Sequence, residues 1–353
     1  MMANASPSSL TVEKAAALLG RRARWRWAEV LFWVVAAATL FLWPERHLIL
    51  NEIAIIGLFA VSLDLILGYA GIVSLGHAAF FGLGAYVAGL FAKHVTGDPL
   101  VGLAAAGLVA GILGFATSFL VLRGADLTRL MVTLGVALVL GELANQMSWL
   151  TGGADGLQGI MMGPVLGLFE FDIFGTVAYA YSLSVLFGLF VVARMIVNSP
   201  FGLSLRSIRD NPLRARGIGI PVNRRLVAIY TVAAVYAGIA GGLLAQTTQF
   251  VSLDVLAFHR SADVMLVLVI GGVGYLYGGL VGAVIFKVLQ DVLSAMTPQY
   301  WQFWIGLILV LLVLAGRERM TDRILGLWRR LTGRSAKAVD ATRASTPVPE
   351  VQP

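Results

Sequence analysis

Residues 67–86 read Leu67-Gly68-Tyr69-Ala70-Gly71-Ile72-Val73-Ser74-Leu75-Gly76-His77-Ala78-Ala79-Phe80-Phe81-Gly82-Leu83-Gly84-Ala85-Tyr86. The stretch is apolar enough to lie in hydrocarbon, yet five glycines interrupt it. Glycine removes side-chain bulk, so backbones can approach closely, and Gly68 to Gly71 can open a helix at a turn. A helix broken inside a membrane leaves backbone groups in need of partners, and in transporters such breaks line the substrate path. Packing is the commoner use of any one glycine. The stretch therefore points to an all-α membrane protein with discontinuous helices and assigns no site on its own.

The rest of the chain agrees. Of its 353 residues 58% are hydrophobic and 13% charged. Soluble domains carry about 45–50% and about 25%, so an ordinary soluble enzyme is excluded. Ten apolar segments can be drawn, at 28–44, 48–67, 72–92, 99–122, 127–150, 178–197, 226–246, 261–276, 279–296 and 300–316. Most are long enough to cross about 30 Å of hydrocarbon; the eighth and ninth are short and glycine-broken. With no cysteine, disulfides, thiolate metal sites, iron–sulfur clusters and cysteine nucleophiles are excluded.

Lys and Arg gather in loops that stay cytoplasmic. Of the 26 basic residues, 22 fall in the N-terminal arm, at Arg123 and Arg129, in 194–225, or after residue 316. Arg46, Lys93 and Arg260 fall on the other side, and Lys287 lies within a span. The loop 151–177 carries Asp155, Glu170 and Asp172 and no base. Ten spans with both termini cytoplasmic satisfy this pattern. It gives a basic cytoplasmic arm (1–27), a transmembrane region (28–316), and a tail (317–353) whose first part suits contact with anionic lipid. The net charge of +7 then needs no nucleic acid to explain it. Spans two to five and seven to ten would be two units related by inversion.

Between spans six and seven, Pro200 stops one helix, and Leu203, Leu205, Ile208 and Leu213 recur among arginines until Gly217 and Gly219. The spacing predicts a short amphipathic helix on the cytoplasmic face, suited equally to lipid or to a docking partner. Charges within spans are costly and need partners. Asp64 is placed to reach His77 or a helix end; His259 with Asp263, and Lys287 with Asp291, are spaced to pair locally. Glu142 and Asn145 share one helix face, with Thr133 further down it.

These motifs together resemble the branched-chain amino acid ABC permease family, with the LivM-type inner-membrane subunit the nearer match. The resemblance is carried by Gly71 to Tyr86, by Glu142 leading to Leu150-Thr151-Gly152-Gly153 and Gly156-Leu157, by Arg206 to Ile220, and by Val269-Ile270-Gly271-Gly272-Val273-Gly274 with Gly278. It covers roughly residues 48–316. It implies a permease subunit in the bacterial inner membrane that imports branched-chain amino acids. The implied partners are a homologous permease subunit, two cytoplasmic ATP-binding subunits that use ATP and Mg, and a periplasmic solute-binding protein; no cofactor or metal is bound by this chain. The 203–220 segment would be the helix that couples to the ATPases through Arg206, Arg209, Asp210, Asn211, Ala215 and Gly219. Pro212 and Gly217 depart from the family pattern. Candidates for the translocation path are Ser74, His77, Thr133, Glu142 and Asn145, and candidate breaks lie at Gly68, Gly71, Gly76, Gly271, Gly272 and Gly274.

Other classes compete. Ser74 and His77 suggest an intramembrane hydrolase, but the sequence has no zinc-hydrolase motif and no nucleophile elbow, and no catalytic residue is assigned. The chain also lacks a phosphate-binding loop of the Gly-x-x-x-x-Gly-Lys-Ser/Thr type. A proton-coupled carrier would use Asp64 or Glu142 and need no ATPase. A related permease cargo, such as urea, short amides or aromatic acids, would leave the architecture unchanged.

Overall fold

The computed structural model of the chain describes residues 27–124 and 126–315. The expected tail, and all of the arm except Trp27, lie outside them. Twelve helices carry the architecture. They are α1 (Trp27–Leu42), α2 (His47–Leu67), α3 (Ala78–His94), α4 (Pro99–Val121), α5 (Asp126–Gln146), α6 (Thr176–Asn198), α7 (Pro200–Asp210), α8 (Pro212–Gly217), α9 (Val222–Thr248), α10 (Phe258–Gly271), α11 (Leu276–Met296) and α12 (Trp301–Ala315). All but α7 and α8 correspond to the ten expected segments. Six of them, α2, α4, α5, α6, α9 and α11, are long and apolar enough to cross a membrane. The chain is a polytopic, all-α membrane protein. Residues 290–315, with the end of α11 and all of α12, belong to a second unit.

Helix starts follow from local chemistry. Asp98, Ser199 and Asn211 each cap a helix whose first residue is proline, so a side-chain oxygen satisfies an amide and proline's missing N–H costs nothing. Two expected boundaries need correction. The third segment turns helical only at Ala78, because residues 71–77 run without regular structure. The eighth ends at Gly271 instead of 276, since Gly272 and Gly274 take φ +109° and +82°, a region other residues avoid.

The 27-residue α9 is the central post, packed against α2, α3 and α4. Glycine makes the approach possible. A Cβ on Gly241 would stand 1.8 Å from the Phe81 carbonyl oxygen, and one on Gly84 would stand 2.1 Å from that of Gly238. Small residues at such crossings replace the hydrophobic effect, which lipid does not supply, with close van der Waals contact. At one end of α9 the buried Gln246 donates to the Pro99 carbonyl (2.7 Å) and accepts from the Tyr181 hydroxyl (3.1 Å), tying α9 to α4 and α6. Gly241→Ala is expected to lower the thermal midpoint in detergent micelles, at a cost of about 1–3 kcal/mol from overpacking. Gly188→Ala, where nothing lies within 4 Å, should leave it equal or higher.

Candidate functional site

The breaks foreseen at glycines meet one another at the basic end of α7. At its C-terminus α2 closes in an αL motif: the Gly71 N–H donates to the Leu67 carbonyl (3.2 Å), and the Ile72 N–H reaches back to that of Ile66 (2.9 Å). The motif requires Gly71 in the left-handed region, φ +73°. One carbonyl of that last turn, Gly68 O, accepts from Arg209 Nη1 of α7 (2.5 Å). Arg209 also donates to Asp210 (3.2 Å), and a Cβ on Gly71 would stand 3.0 Å from its Cγ. Arg206 stacks over Tyr69 of the same turn, 5.2 Å from the ring centroid.

The α10–α11 hinge joins this cluster. Asp64, fully buried in the last turn of α2, accepts from the Gly274 N–H (2.7 Å). A Cβ on Gly68 would stand 2.2 Å from that carboxylate and 2.6 Å from the Gly274 nitrogen. Two expectations for Asp64 therefore separate: it reaches a helix end, and it does not pair with His77. Gly271 belongs to the hinge as a packing position, where a Cβ would stand 1.8 Å from the Gly278 carbonyl oxygen. The end of α2, the α10–α11 hinge and α7 are thus cross-tied by two side chains, Arg209 and Asp64.

The predicted single helix over 203–220 is corrected to two. Asn211 adopts an extended conformation (φ −160°, ψ 100°) and its side chain caps α8 by accepting from the Arg214 N–H (2.9 Å). Pro212 follows as the first residue of α8, which explains its departure from a helix-former pattern. α7 buries Leu205 and Ile208, and α8 buries Ala215. Leu213 and Ile218 are 77% and 70% exposed. Gly219, with φ +86°, turns the chain toward α9.

From Gly71 the chain runs without regular structure to Ala78, whose N–H donates to Ser261 Oγ of α10 (2.9 Å). Ser261 lies ten residues before Gly271, roughly 15 Å along α10 at 1.5 Å per residue, so this break reaches well into the bundle. Three path candidates come together here. The Leu75 N–H donates to Thr133 Oγ1 (3.3 Å), and α5 crosses so closely that a Cβ on Gly76 would stand 1.7 Å from the Thr133 carbonyl oxygen. The Ser62 hydroxyl donates to the Phe59 carbonyl (2.6 Å) and lies 2.8 Å from His77 Nε2. That assigns Nε2 as the protonated nitrogen and leaves Nδ1 an acceptor. His77 Nδ1 and Ser74 Oγ are buried with no hydrogen-bond partner among the described residues.

Glu142 and Asn145 stand apart from these three. They line a separate groove of about 320 Å³ along α5 with Leu253, Leu256 and Phe258, and Glu142 accepts from Gln146 (2.9 Å). The local ion pairs expected from spacing also give way. His259 and Arg260 both meet Asp254 (2.9 and 2.8 Å), and Lys287 pairs with Glu52 of α2. Sequence reasoning did not foresee Tyr69 or the Arg194–Glu29 pair between α6 and α1; opposite charges at the same ends of two apolar segments were the available signal.

With this geometry in hand, residues 47–315 match the family described as the branched-chain amino acid transport system permease component. The chain belongs to that family, a group of ABC transport permeases. It is similar to the high-affinity branched-chain amino acid transport system permease protein LivM of Escherichia coli, 26% identical over 279 residues. That match covers 73% of this chain and 65% of LivM, so the chain spans just under two thirds of that relative's length. It is also similar to the fructose import permease protein FrcC of Rhizobium meliloti, 26% identical over 80% of this chain and 81% of FrcC. The L-arabinose ABC transporter permease protein AraH of Azospirillum brasilense is 26% identical over 83% of this chain and 88% of its own. No solved structure matches the chain.

In this ABC permease the cross-tie is testable by stability. Asp64→Ala strands the Gly274 N–H and should lower the unfolding midpoint in micelles by an amount equivalent to about 1–3 kcal/mol. Asp64→Asn, which keeps an acceptor, should recover most of that loss. Equal midpoints for the wild-type and alanine proteins would refute the tie.

Proposed function

We propose that the chain is a membrane subunit of an ATP-driven importer in the bacterial inner membrane, and that its cargo is a branched-chain amino acid. It works beside a homologous permease, with two cytoplasmic ATPases that bind ATP and Mg and a periplasmic solute-binding protein. Both termini face the cytoplasm. The observation that carries this reading is the cross-tie of α7 to two helix breaks at once. α8 and the residue that follows it offer Leu213 and Ile218 among exposed Arg214 and Arg216, a mixed apolar and basic knob of the kind that seats in a cleft of a partner. When the ATPases close and move α7 and α8, Arg209 pulls on the last turn of α2, and Asp64 carries that displacement to the α10–α11 hinge. The segment holding Ser74 and His77 begins at that same turn, so the displacement arrives beside Thr133. The acidic loop 151–177 is the face proposed for the solute-binding protein.

A sugar cargo is the second reading, favoured by the fructose and arabinose permeases, which match over more of their length than LivM does. Binding calorimetry on the cognate solute-binding protein separates the two: heat with leucine, isoleucine or valine supports the first, and heat only with fructose or arabinose overturns it. In the assembled complex, Arg209→Ala with Asp210→Ala should abolish cargo-stimulated ATP hydrolysis while the ATPases still co-purify. Unchanged stimulation would refute the coupling role. Transport by this chain alone in proteoliposomes under a proton gradient would replace the ATP-driven reading altogether.

A further inference from the structure

Beside the cross-tie lies a groove of about 590 Å³ that the transport reading leaves unused. Arg194 of α6, Arg206 and Arg209 of α7, and the hinge residues Val273 to Tyr277 form its walls, with Glu29 as its one lining carboxylate. Arg194 faces Glu29, and Arg209 is committed to Gly68 and Asp210. Arg206 is held in place by its stacking on Tyr69 and forms no ion pair with a carboxylate among the described residues. With Glu29 on Arg194 and Asp210 on Arg209, the three guanidiniums face two carboxylates and the charge of Arg206 is left over, which makes the groove a site for an anion, and the planar fork of arginine suits phosphate oxygens.

A second groove, of about 560 Å³, follows along the same α1–α6 seam, and its walls are apolar. On α6 the lining residues continue in one stripe, Ala180, Leu183 and Phe187 in the apolar groove and then Phe190, Arg194 and Val197 in the basic one. On α1 the apolar groove runs from Val30 to Leu40, and Glu29 opens the basic one. Trp27 and Tyr275, 91% and 70% exposed, mark the basic end as the level where aromatic side chains meet lipid headgroups. Charge placement puts this end on the cytoplasmic side, whose leaflet carries anionic lipid.

We propose that an anionic phospholipid binds along the α1–α6 seam, its phosphate held by Arg206 with Arg194 and Arg209 and an acyl chain lying against Trp33, Val34, Ala37 and Phe187. A free anion would use the basic groove alone; the apolar groove in series with it selects the lipid. Because α7 and the α10–α11 hinge form walls of the headgroup site, the bound lipid braces both. This site stands on the seam's geometry and holds whatever the cargo is.

The test uses the full chain in nanodiscs of phosphatidylcholine doped with phosphatidylglycerol, with bound lipid counted by native mass spectrometry after detergent release. Wild-type protein should retain phosphatidylglycerol over phosphatidylcholine, and Arg206→Gln should weaken that retention about tenfold, as expected for loss of a charge-assisted hydrogen bond. Arg206→Lys should recover part of it. Ala37→Trp, which fills the apolar groove far from the arginines, should also release the lipid while the thermal midpoint holds. Retention unchanged in both Arg206→Gln and Ala37→Trp overturns the site. If Ala37→Trp leaves retention intact and inorganic phosphate displaces the lipid from wild-type protein, the groove is an anion site and the lipid assignment falls.

Discussion

Backbone amides and carbonyls that emerge from a helix end packed against other helices are cut off from water, and each one left unsatisfied costs about 1–3 kcal/mol. The arrangement where α2, α7 and the α10–α11 hinge meet follows from that constraint. Where α2 stops, the carbonyl of Gly68 is taken by Arg209; where the chain leaves α10, the amide of Gly274 is taken by Asp64. Each break is stabilised by a side chain from a different segment, so neither break can move without moving the other. Two breaks capped by water would be independent hinges. Capped by α7 and by α2, they form one mechanical unit.

The glycines serve two separable ends. At Gly84, Gly238 and Gly241 they let α9 sit against its neighbours, and this is packing. At Gly71, Gly272 and Gly274 positive φ angles turn the chain, and at Gly68 and Gly76 only a missing Cβ admits the crossing group. The same residue type thus builds a rigid post and a set of joints a few residues apart. Sequence alone does not distinguish these uses, because both appear as glycine in an apolar run.

What the sequence makes legible is therefore what depends on neighbours along the chain. Helix positions follow from apolar runs, and the breaks at Gly68–Gly71 and Gly271–Gly274 follow from glycine spacing. The split of α7 from α8 was equally available: asparagine before proline is a cap followed by a first-turn residue, and the expectation of one continuous helix over 203–220 overlooked it. Partners chosen by tertiary packing were out of reach. Asp64 finds Gly274, 210 residues away; Lys287 finds Glu52 rather than Asp291, and His259 finds Asp254 rather than Asp263. Spacing of four along a helix permits a pair; burial and competing partners decide it.

Charge commitment also bears on selectivity. Recognition of an amino acid by its ionic groups needs a cation and an anion, and Arg194, Arg209, Arg260 and Lys287 are each engaged with protein groups, while Asp64 is engaged through one oxygen. At the deep break Thr133 and His77 Nε2 are engaged as well, and the groups with no partner among the described residues are Ser74 Oγ and His77 Nδ1. A hydroxyl or an imidazole hydrogen-bonds alike to a hydroxyl or an ammonium and so discriminates weakly between them. The relatives named for an amino acid and for sugars stand at the same 26% identity. The mechanical demand among the described residues falls on the joint between α2, α7 and the α10–α11 hinge, where two side chains hold both breaks.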